Sequence, residues 1–370
     1  MTAGESHGKG LVAIIDGVPA GLVIAESYIN NELARRMSGY GRGKRMEIEK
    51  DTIEIIAGMR RGRTIGSPIG LVVYNRDYKI EELPEILCPR PGHADLAGML
   101  KYGFKDARNV LERASARGTA VRVAAGSVAK LILKEFDIRI ISHVTAIGLV
   151  KADTASLSFN ELAKAENSEL RCADAEAVTD MKREIDKAIK AGDTLGGAFE
   201  VVADGVPPGL GGYSEWDRKL DGLLARAVMS IQAVKGVAIG KGIESSSKLG
   251  SEVHDAIVYD STKKEFRRTT NTAGGIEGGV TNGEMVIVKG FMKPIATLSN
   301  PLKSVDILTK KEAKAATERS DVTAVPACGV IAEAAVAFEL ASAFLAKFGG
   351  DSILEARRNY DSYMKSLREM

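Results

Sequence analysis

The longest apolar stretch of the sequence, Val322 to Phe348, is the feature that most constrains the fold. It is rich in alanine and is interrupted by Glu333 and Glu339, so no uninterrupted apolar run approaches the ~20 residues that a membrane span requires. A segment that is apolar on nearly every face is typical of a helix surrounded by protein. We therefore predict a buried helix here, around which the other elements pack.

Apolar periodicity predicts the other helices. Ser27 is placed to cap a helix that carries Ile29 and Leu33 on one face and ends before Gly39. The i, i+3, i+4 spacing of apolar side chains predicts further helices at Leu111–Phe136, Ala175–Ala191, Ser214–Ser230 and Asp351–Arg368.

Short runs of β-forming residues predict the strands. Leu11–Ile15 and Leu22–Ile24 flank a Gly-rich and Pro-containing turn, which predicts a hairpin. Further strands are predicted at Ala198–Ala203, Ala256–Tyr259 and Met285–Val288. Because strands and helices do not alternate in a strict βαβ order, we predict an α+β fold with antiparallel sheets rather than a doubly wound fold.

Length and charge limit the domain organisation and the class of ligand. The chain has 370 residues, 45% apolar and 27% charged, which is typical of a globular protein with ample core material. No Pro/Ser-rich linker or charge block divides it, so we predict one domain over residues 1–370, with the polar segment 151–175 compatible with a peripheral insertion. The formal net charge of +2 is too near neutral for a general polyanion binder, so any anion site must be local.

The cysteines and the amino terminus indicate the compartment. Cys88, Cys172 and Cys328 are odd in number, far apart and not in CxxC spacing, which argues against a disulfide framework and against a zinc site. Glu5 and His7 stand where a signal peptide would need a basic stretch followed by an apolar one. We therefore expect a reducing compartment, the cytoplasm, and no metal.

Glycines cluster beside arginines and histidines, and this pairing is the strongest indication of a site. Glycine lets the backbone approach a ligand, and the arginine fork matches phosphate and carboxylate oxygens. The first such cluster, residues 35–45, holds Arg35, Arg36, Arg42, Lys44 and Arg45. An anion-binding loop and a flexible basic surface loop are both compatible with this pattern.

Two further clusters combine arginine with a residue able to carry a proton or bind an anion. In residues 89–95, prolines flank Arg90, and His93 follows a glycine before a helical segment, where it is either a proton carrier or a helix cap. In residues 112–119, Arg113 and Arg117 open the predicted long helix, where the helix dipole disfavours cations. Either an anionic ligand between them, or pairing with Glu112 or solvation, resolves that conflict.

The remaining candidates lie at both ends of the chain. Ser6 and His7 are adjacent, and because neighbours on an extended chain point apart they cannot form a nucleophile–base pair, so His7 is better placed as an acid or phosphate donor. Residues 271–279 form a tight turn system without GxGxxG spacing. Residues 293–297 place a Lys and a Thr around a proline. Asp321 is a candidate site residue, an N-cap or a partner of Arg319.

Eight motifs of the sequence resemble those of one enzyme family and occur in the same order: TAGESHG, GYGRG, PGHAD, RASARGTAVRVAAG, SIQAVKGVAIG, NTAGGIEGG, KPIAT and ERSDVTAVPA. Over nearly its whole length the chain resembles the chorismate synthase family. The resemblance implies a β-α-β sandwich that assembles as a homotetramer. It also implies conversion of 5-enolpyruvylshikimate 3-phosphate to chorismate and phosphate by a 1,4-anti elimination, which requires reduced FMN without net redox change.

The resemblance also assigns roles to residues. It implies that His7 protonates the departing phosphate, that His93 manages flavin protonation, and that Asp321 assists proton removal from the substrate by way of the flavin. The implied substrate contacts are Ser6, His7, Arg36, Arg42, Arg45, Arg90, Arg117, Arg319 and Ser320. The implied FMN contacts are Arg113, Ala114, Ser115, Gln232, Ala233, Gly278, Lys293, Pro294, Ile295, Ala296, Thr297 and Arg319. Arg36 and Arg42 are also the positions linked to NADPH in members that reduce their own flavin.

The sequence departs from the family pattern at a few positions. Only Met1 precedes Thr2 where the family usually has a few residues that start the first strand, which implies a trimmed edge. Ala114 stands where a second serine is common, and Met37 where a glutamine often occurs. A nucleic-acid binder is disfavoured because aromatics make up only 5% of the chain. A flavin oxidoreductase with net hydride transfer stays open on the residues alone.

Overall fold

The computed structural model describes residues 1–43, 50–318 and 320–370. The helices are α1 (Glu26–Met37), α2 (Asp95–Tyr102), α3 (Arg108–Ala114), α4 (Thr119–Lys134), α5 (Phe159–Leu162), α6 (Ala175–Ala191), α7 (Leu220–Met229), α8 (Gly250–Val253), α9 (Val325–Phe348) and α10 (Ile353–Leu367). The strands are β1 (Thr2–Ala3), β2 (Gly10–Ile15), β3 (Ile53–Ala57), β4 (Met59–Arg60), β5 (Arg63–Thr64), β6 (Ile69–Tyr74), β7 (Arg139–Ile147), β8 (Val150–Lys151), β9 (Gly197–Asp204), β10 (Val234–Ile239), β11 (Ile257–Asp260), β12 (Glu265–Arg268), β13 (Ile276–Glu277), β14 (Val280–Thr281), β15 (Val286–Met292), β16 (Lys303–Val305) and β17 (Glu312–Lys314).

Two antiparallel sheets enclose the main helices. One sheet has four strands in the order β1-β2-β6-β3, and the other has five in the order β10-β15-β9-β7-β8. Helix α4 packs against β2 and β6 of the first sheet, α9 packs against β7 and β9 of the second, and α4 and α9 contact each other. The helices therefore form a layer between the sheets, which confirms the predicted α+β fold with helices packed between antiparallel sheets.

Helix α9 is the buried helix that the apolar stretch predicts. It is long and apolar enough to cross a membrane, but 67% of its most apolar window is buried inside the structure. Gly126 of α4 lies so close to α9 that a Cβ there would collide with Ala334. Small residues on both helices thus allow close packing, and this explains the alanine-rich composition.

Glu333, the charge in the middle of α9, is fully buried and is neutralised by neighbouring cations. Its carboxylate contacts Arg35 of α1 at 2.9 Å, Arg171 at 2.9 Å and also Lys130 of α4. Burial raises the pKa of Glu333, but the charges of Lys130, Arg35 and Arg171 outweigh it and hold that pKa well below its usual range. The charge inside the apolar stretch is therefore part of a buried ion network that ties three helices together.

Four predicted elements differ from the structure. The helix predicted at Ser214–Ser230 is shorter, because α7 begins at Leu220 and only a separate 3₁₀ turn, Trp216–Arg218, precedes it. Leu22–Ile24 forms no strand, because the Leu22 N–H donates to Thr64 Oγ1 (3.0 Å) and the Ile24 N–H to Gly62 O (3.0 Å) instead of pairing with β2. Ser27 lies inside α1, whose N-cap is Ala25. The predicted helix over 111–136 is divided into α3 and α4 at Ser115, which is extended and whose side chain accepts from the Arg117 N–H.

A smaller apolar cluster lies apart from the main core. Ile86, Met99, Ala107, Val110 and Leu111 form it, with α2 and α3 as its helices. It supports the loops that carry the histidine of the PGHAD motif. Elsewhere, the polar segment 151–175 covers part of the five-stranded sheet, where two of its side chains pack against Val202.

Candidate active site

Two buried arginines share one carboxylate at the centre of the site. Arg117 follows α3, and its Nη1 lies 2.6 Å and 2.7 Å from the two oxygens of Asp51. Arg36, in the last turn of α1, places its Nη1 3.5 Å from Asp51 Oδ2 and donates from Nε to Thr119 Oγ1 at 2.9 Å. Burial, reinforced by the charges of Arg117 and Arg42 and opposed by that of Asp51, lowers the pKa of Arg36 to about 10.

Arg42 and Asp321 form a second ion pair in the same region. Arg42 Nη1 lies 3.0 Å from Asp321 Oδ2, and the Gly43 N–H donates to Asp321 Oδ1 at 2.6 Å. Only 10% of the Arg42 side chain is exposed, and burial lowers its pKa against the opposing effect of Asp321. Arg36 and Arg42 are therefore not solvated loop residues, and the prediction of a flexible basic surface loop is wrong for both.

Asp321 does not cap the helix that follows it. Helix α9 begins at Val325 after Ala324, and the Val325 N–H points to Thr323 Oγ1 at 3.5 Å, so the alternative of an N-cap is wrong. The Ser320 hydroxyl donates to the Asp321 carbonyl at 3.2 Å. The remaining predicted cations of this region, Arg45 and Arg319, lie outside the described residues.

His7 is held by a carboxylate from α3. Its backbone N–H donates to Glu112 Oε2 at 2.8 Å, and its ring Nδ1 lies 2.9 Å from Glu112 Oε1. Asn75 fixes the rest of this loop: its Nδ2 donates to the carbonyls of Glu5, Ser6 and Gly8. Asn75 Oδ1 accepts from Arg117 Nε at 2.8 Å, which links the buried Ser6 and His7 to the arginine cluster.

Asp95 organises the PGHAD loop. It is fully buried, and its oxygens lie 2.9 Å from Arg90 Nε and 2.5 Å from His93 Nδ1. Burial raises the pKa of Asp95, but the hydrogen bonds and charges of His93 and Arg90 hold it well below its usual range. His93 caps no helix here, since α2 begins after Ala94, so that alternative is wrong.

The KPIAT segment completes this side of the site. Arg90 Nη1 donates to Thr297 Oγ1 at 2.8 Å, and Lys293 Nζ donates to the Gly92 carbonyl at 3.0 Å. A Cβ on Gly92 would stand 3.8 Å from Ala296, so the two loops pack directly. Between Lys293 and Ala296, Pro294 and Ile295 complete the turn, with the Ile295 carbonyl accepting from Thr194. Burial and the charge of Lys235 lower the pKa of Lys293.

Gln232 and Ala233 join this segment to the end of α3. The Lys293 N–H donates to the Ala233 carbonyl at 2.9 Å, and Gln232 Nε2 donates to the Ser115 carbonyl at 3.4 Å. Gln232 Oε1 is buried and has no hydrogen-bond partner among the described residues. Ala233 adopts a φ of +67°, a conformation that costs energy for a residue with a Cβ. An acceptor left without a partner beside a strained backbone is typical of a ligand site.

Two predicted cofactor residues occupy different surroundings. Arg113 is exposed and donates to the Gly4 and Thr2 carbonyls. It lies in the last turn of α3, where the helix dipole favours a cation, so for Arg113 the predicted conflict at a helix start does not exist. Arg117 does lie just before the start of α4, and its charge is paired with Asp51. Neither Arg113 nor Arg117 pairs with Glu112, which contacts His7 and Arg108 instead. Ala114, the last residue of α3, directly precedes Ser115.

Gly278 lies at the far end of the five-stranded sheet from the KPIAT segment. In the antiparallel pair β10–β15, Val234 is opposite Met292, so Ala233 and Lys293 meet at one end. The turn that contains Gly278 meets the other end, where the Lys241 N–H donates to the Thr272 carbonyl at 2.9 Å. A six-residue strand rises about 20 Å. Gly278 and Lys293 of one chain are therefore not neighbours.

Four polar residues were given no site role from the sequence: Asp51, Asn75, Asp95 and Glu112, the last of which was considered only as a partner of Arg113 and Arg117. Each is buried and binds a predicted arginine or histidine. Asp95 and Glu112 lie within the same short motifs as their cationic neighbours, so the need to neutralise a buried cation was an available signal. Asp51 and Asn75 come from other segments, and nothing in the sequence links them to Arg117.

The fold and this set of side chains define a class of protein: an α+β enzyme whose site gathers buried arginines and two histidines, each held by a buried carboxylate. The family model described as chorismate synthase matches residues 1–345. The chorismate synthase of Carboxydothermus hydrogenoformans is 55% identical over 379 residues, covering 99% of this chain and 98% of the relative. That of Koribacter versatilis is 52% identical, covering 100% and 98%. The chain belongs to the chorismate synthase family, a family of carbon–oxygen lyases.

A solved structure supports the same assignment at the level of the fold. A crystal structure of a chorismate synthase matches with a TM-score of 0.83 and 42% identity, and the match covers 100% of this chain and 98% of the other. The predicted family and the predicted fold class are both confirmed.

Proposed function

We propose that the chain converts 5-enolpyruvylshikimate 3-phosphate to chorismate and phosphate by 1,4-anti elimination, with reduced FMN as its cofactor. The observation that carries this proposal is that Arg36, Arg42 and Arg117 lie close enough for their charges to interact. Asn75 connects them to the loop of His7, because it accepts from Arg117 and donates to the carbonyl of Gly8. The substrate has one phosphate and two carboxylates, and such a trianion needs several buried cations. Arg45, Arg90, Arg319 and the hydroxyls of Ser6 and Ser320 complete the proposed substrate contacts.

The residues of the second half of the site fit a flavin. The buried Oε1 of Gln232 has no partner among the described residues and can accept from an imide N–H, and Lys293 offers a cation to the anionic groups. Reduced flavin, when bound, supplies the electron density that makes loss of phosphate feasible. The proposed contacts are Arg113, Ala114, Ser115, Gln232, Ala233, Lys293 to Thr297, and Arg319.

Three residues take the proton-handling roles in this proposal. His7 donates a proton to the departing phosphate, and His93 holds a proton beside the cofactor. Asp321 takes part in removal of the substrate proton. Its carboxylate is oriented by Arg42 and by the Gly43 N–H.

We also propose that the protein works as a homotetramer of single-domain chains in the cytoplasm. The position of Gly278 supports an assembly: about 20 Å of strand separates the ends of β10, so we assign Gly278 to the flavin site of a second copy. We assign NADPH as reductant to Arg36 and Arg42, the positions linked to it in family members that reduce their own flavin, which are the same arginines that we assign to the substrate.

An anaerobic assay with purified protein, the enolpyruvyl phosphate and a catalytic amount of dithionite-reduced FMN tests the proposal. We expect chorismate and phosphate in equal amounts, with many turnovers for each flavin. Enolpyruvylshikimate without the phosphate is the control, and it should give no chorismate. Stoichiometric flavin oxidation would point instead to net hydride transfer and would overturn the proposal. Replacing dithionite by NADPH in the same assay tests whether the chain reduces its own flavin.

A further inference from the structure

Glu112 has no role in the function as proposed, yet it makes the closest contacts to His7. Its side chain is 2% exposed and lies in the last turn of α3. One oxygen accepts from the His7 backbone N–H at 2.8 Å, and the other lies 2.9 Å from the ring Nδ1. The carboxylate therefore fixes both the position of the residue and the rotation of its ring.

The surroundings of Glu112 favour its ionised form. Burial raises the pKa of Glu112, but the hydrogen bonds from the ring and backbone of His7, with the charges of His7 and Arg108, outweigh burial and lower that pKa. Arg108 Nη1 lies 3.7 Å from Glu112 and 3.0 Å from Glu318. An ionised carboxylate only accepts hydrogen bonds, so the ring nitrogen that faces it must carry a proton.

We propose that Glu112 is a positioning residue for His7: it keeps the proton on Nδ1 and presents Nε2 to the phosphate that leaves the substrate. This inference rests on the proposed function, because the leaving phosphate is the group that receives the Nε2 proton. In that 1,4-elimination the C–O bond breaks, its electron pair stays with the phosphate oxygen, and the phosphate takes the Nε2 proton of a His7 ring that is protonated on both nitrogens. The substrate C–H bond breaks as well: its electron pair forms a new double bond as the existing one shifts, and its proton is removed with the participation of Asp321. The ring becomes neutral and retains its Nδ1 proton against Glu112.

Other contacts keep the loop folded when the Glu112 side chain changes. The Ser6 N–H donates to the backbone carbonyl of Glu112 at 2.9 Å, a bond that no side-chain substitution removes. Asn75 holds the loop carbonyls, and the His7 carbonyl accepts from the N–H groups of Lys79 and Ile80. The side chain of Glu112 thus governs the ring of His7 more than the path of the backbone.

The test compares Glu112→Gln and Glu112→Asp with the parent enzyme by ¹⁵N NMR and by kinetics. The chain has four histidines, so selective ¹⁵N-histidine labelling gives four rings to assign. At a pH where the ring is neutral, we expect His7 to carry its single proton on Nδ1 in the parent and to show a mixture of ring tautomers in Glu112→Gln. For that variant we also expect kcat to fall about 10²-fold while KM changes by less than about threefold. Glu112→Asp should recover part of kcat and of the Nδ1 signal.

Glu200→Gln is the matched control, because Glu200 pairs with the buried His143 at 3.2 Å on the five-stranded sheet. It should change the His143 ring signal and leave the His7 signal and kcat unchanged. An unchanged His7 signal in Glu112→Gln would overturn the inference. A loss of rate that is fully explained by unfolding of the variant, seen as a large fall in its melting temperature, would also overturn it. If the parent forms no chorismate, the proposed function fails, whereas the His7 signal still tests the positioning role.

Discussion

The two histidines proposed to carry protons are each held by a buried carboxylate, but the carboxylates come from different distances along the chain. Asp95 is two residues from His93, at the start of α2, whereas Glu112 is 105 residues from His7. The local pair moves as one unit with its loop. The long-range pair forms only when α3 packs against the amino-terminal loop, so its geometry depends on the tertiary structure.

The two carboxylates also differ in the cations that depend on them for a charge partner. Asp95 neutralises Arg90 as well as contacting His93, and only 6% of Arg90 is exposed. Arg108, the second cation near Glu112, is 3.7 Å away and has Glu318 as another partner. Loss of Asp95 therefore leaves a buried arginine without its charge partner, and loss of Glu112 does not. The comparison indicates that Asp95 matters most for stability and Glu112 most for the reaction.

The largest expected effect comes from removing the rings themselves. His7→Ala and His93→Ala should each lower turnover by about 10²–10⁴ while the fold stays intact, because both rings are proposed to transfer or hold protons. His254→Ala is the control, since that ring is exposed at the end of α8 and should leave turnover unchanged. Anaerobic rates measure the loss of turnover, and thermal melts on the same preparations check that the fold is intact. A fully active His93→Ala protein would remove His93 from the proton chemistry and break the comparison.

The second effect separates the carboxylates by stability. Asp95→Asn should lower the free energy of unfolding by about 3–5 kcal/mol, because it breaks a buried ion pair and leaves Arg90 uncompensated. Glu112→Gln should cost less, about 1–3 kcal/mol. Urea unfolding at neutral pH measures both, with Asp180→Asn as the control because its ion pair with Arg183 is exposed. Equal losses for Asp95→Asn and Glu112→Gln would contradict the proposed division between stability and reaction.

A third prediction concerns binding rather than proton transfer. The histidine pairs are proposed to transfer protons, and the arginine cluster is proposed to bind the anionic substrate. Arg42→Ala should therefore weaken substrate binding by about 2–5 kcal/mol. A solvated arginine would contribute almost nothing. The measurement is substrate KM together with a direct binding titration, and Arg183→Ala, which is 70% exposed on α6, serves as the control. An unchanged KM in Arg42→Ala would show that Arg42 does not bind the substrate.

The difference between local and long-range pairing also explains how much the sequence could predict. Helix α6 was predicted with its observed bounds from its apolar periodicity, and the structure adds that Asp174 caps its start and Gly192 follows its end. The break at Ser115 was missed because apolar periodicity continues across it, and only the Ser115–Arg117 contact reveals it. Arg90, His93 and Arg117 were found from motifs, and the partners Asp51 and Asn75 were not, since pairs separated by tens of residues leave no local pattern.

The smallest expected effect is the pH dependence of stability, and it discriminates between the two carboxylates without any substrate. Burial raises the pKa of Asp95, but hydrogen bonds and charges from His93 and Arg90 lower it further, and the balance at Glu112 has the same sign. A carboxyl whose folded pKa is depressed adds stability above its unfolded pKa of about 4, and this stability is lost as the pH falls through the folded value.

The parent should therefore lose about 1 kcal/mol of unfolding free energy from Asp95 between neutral pH and pH 3, where the carboxyl of the unfolded chain is protonated and that of the folded chain is not. Asp95→Asn has no proton to bind there, so its curve of unfolding free energy against pH should be flatter and should approach that of the parent as the pH falls. Glu112→Gln should flatten the curve less, because the arginine near Glu112 is 3.7 Å away, whereas Arg90 hydrogen-bonds Asp95 at 2.9 Å. Urea titrations at a series of pH values from 7 to 3 supply the slopes. Parallel curves for the parent and Asp95→Asn would show that the Asp95 carboxyl has the same pKa in the folded and unfolded chains. In that case Arg90, Asp95 and His93 would not be the tightly coupled cluster that their distances indicate.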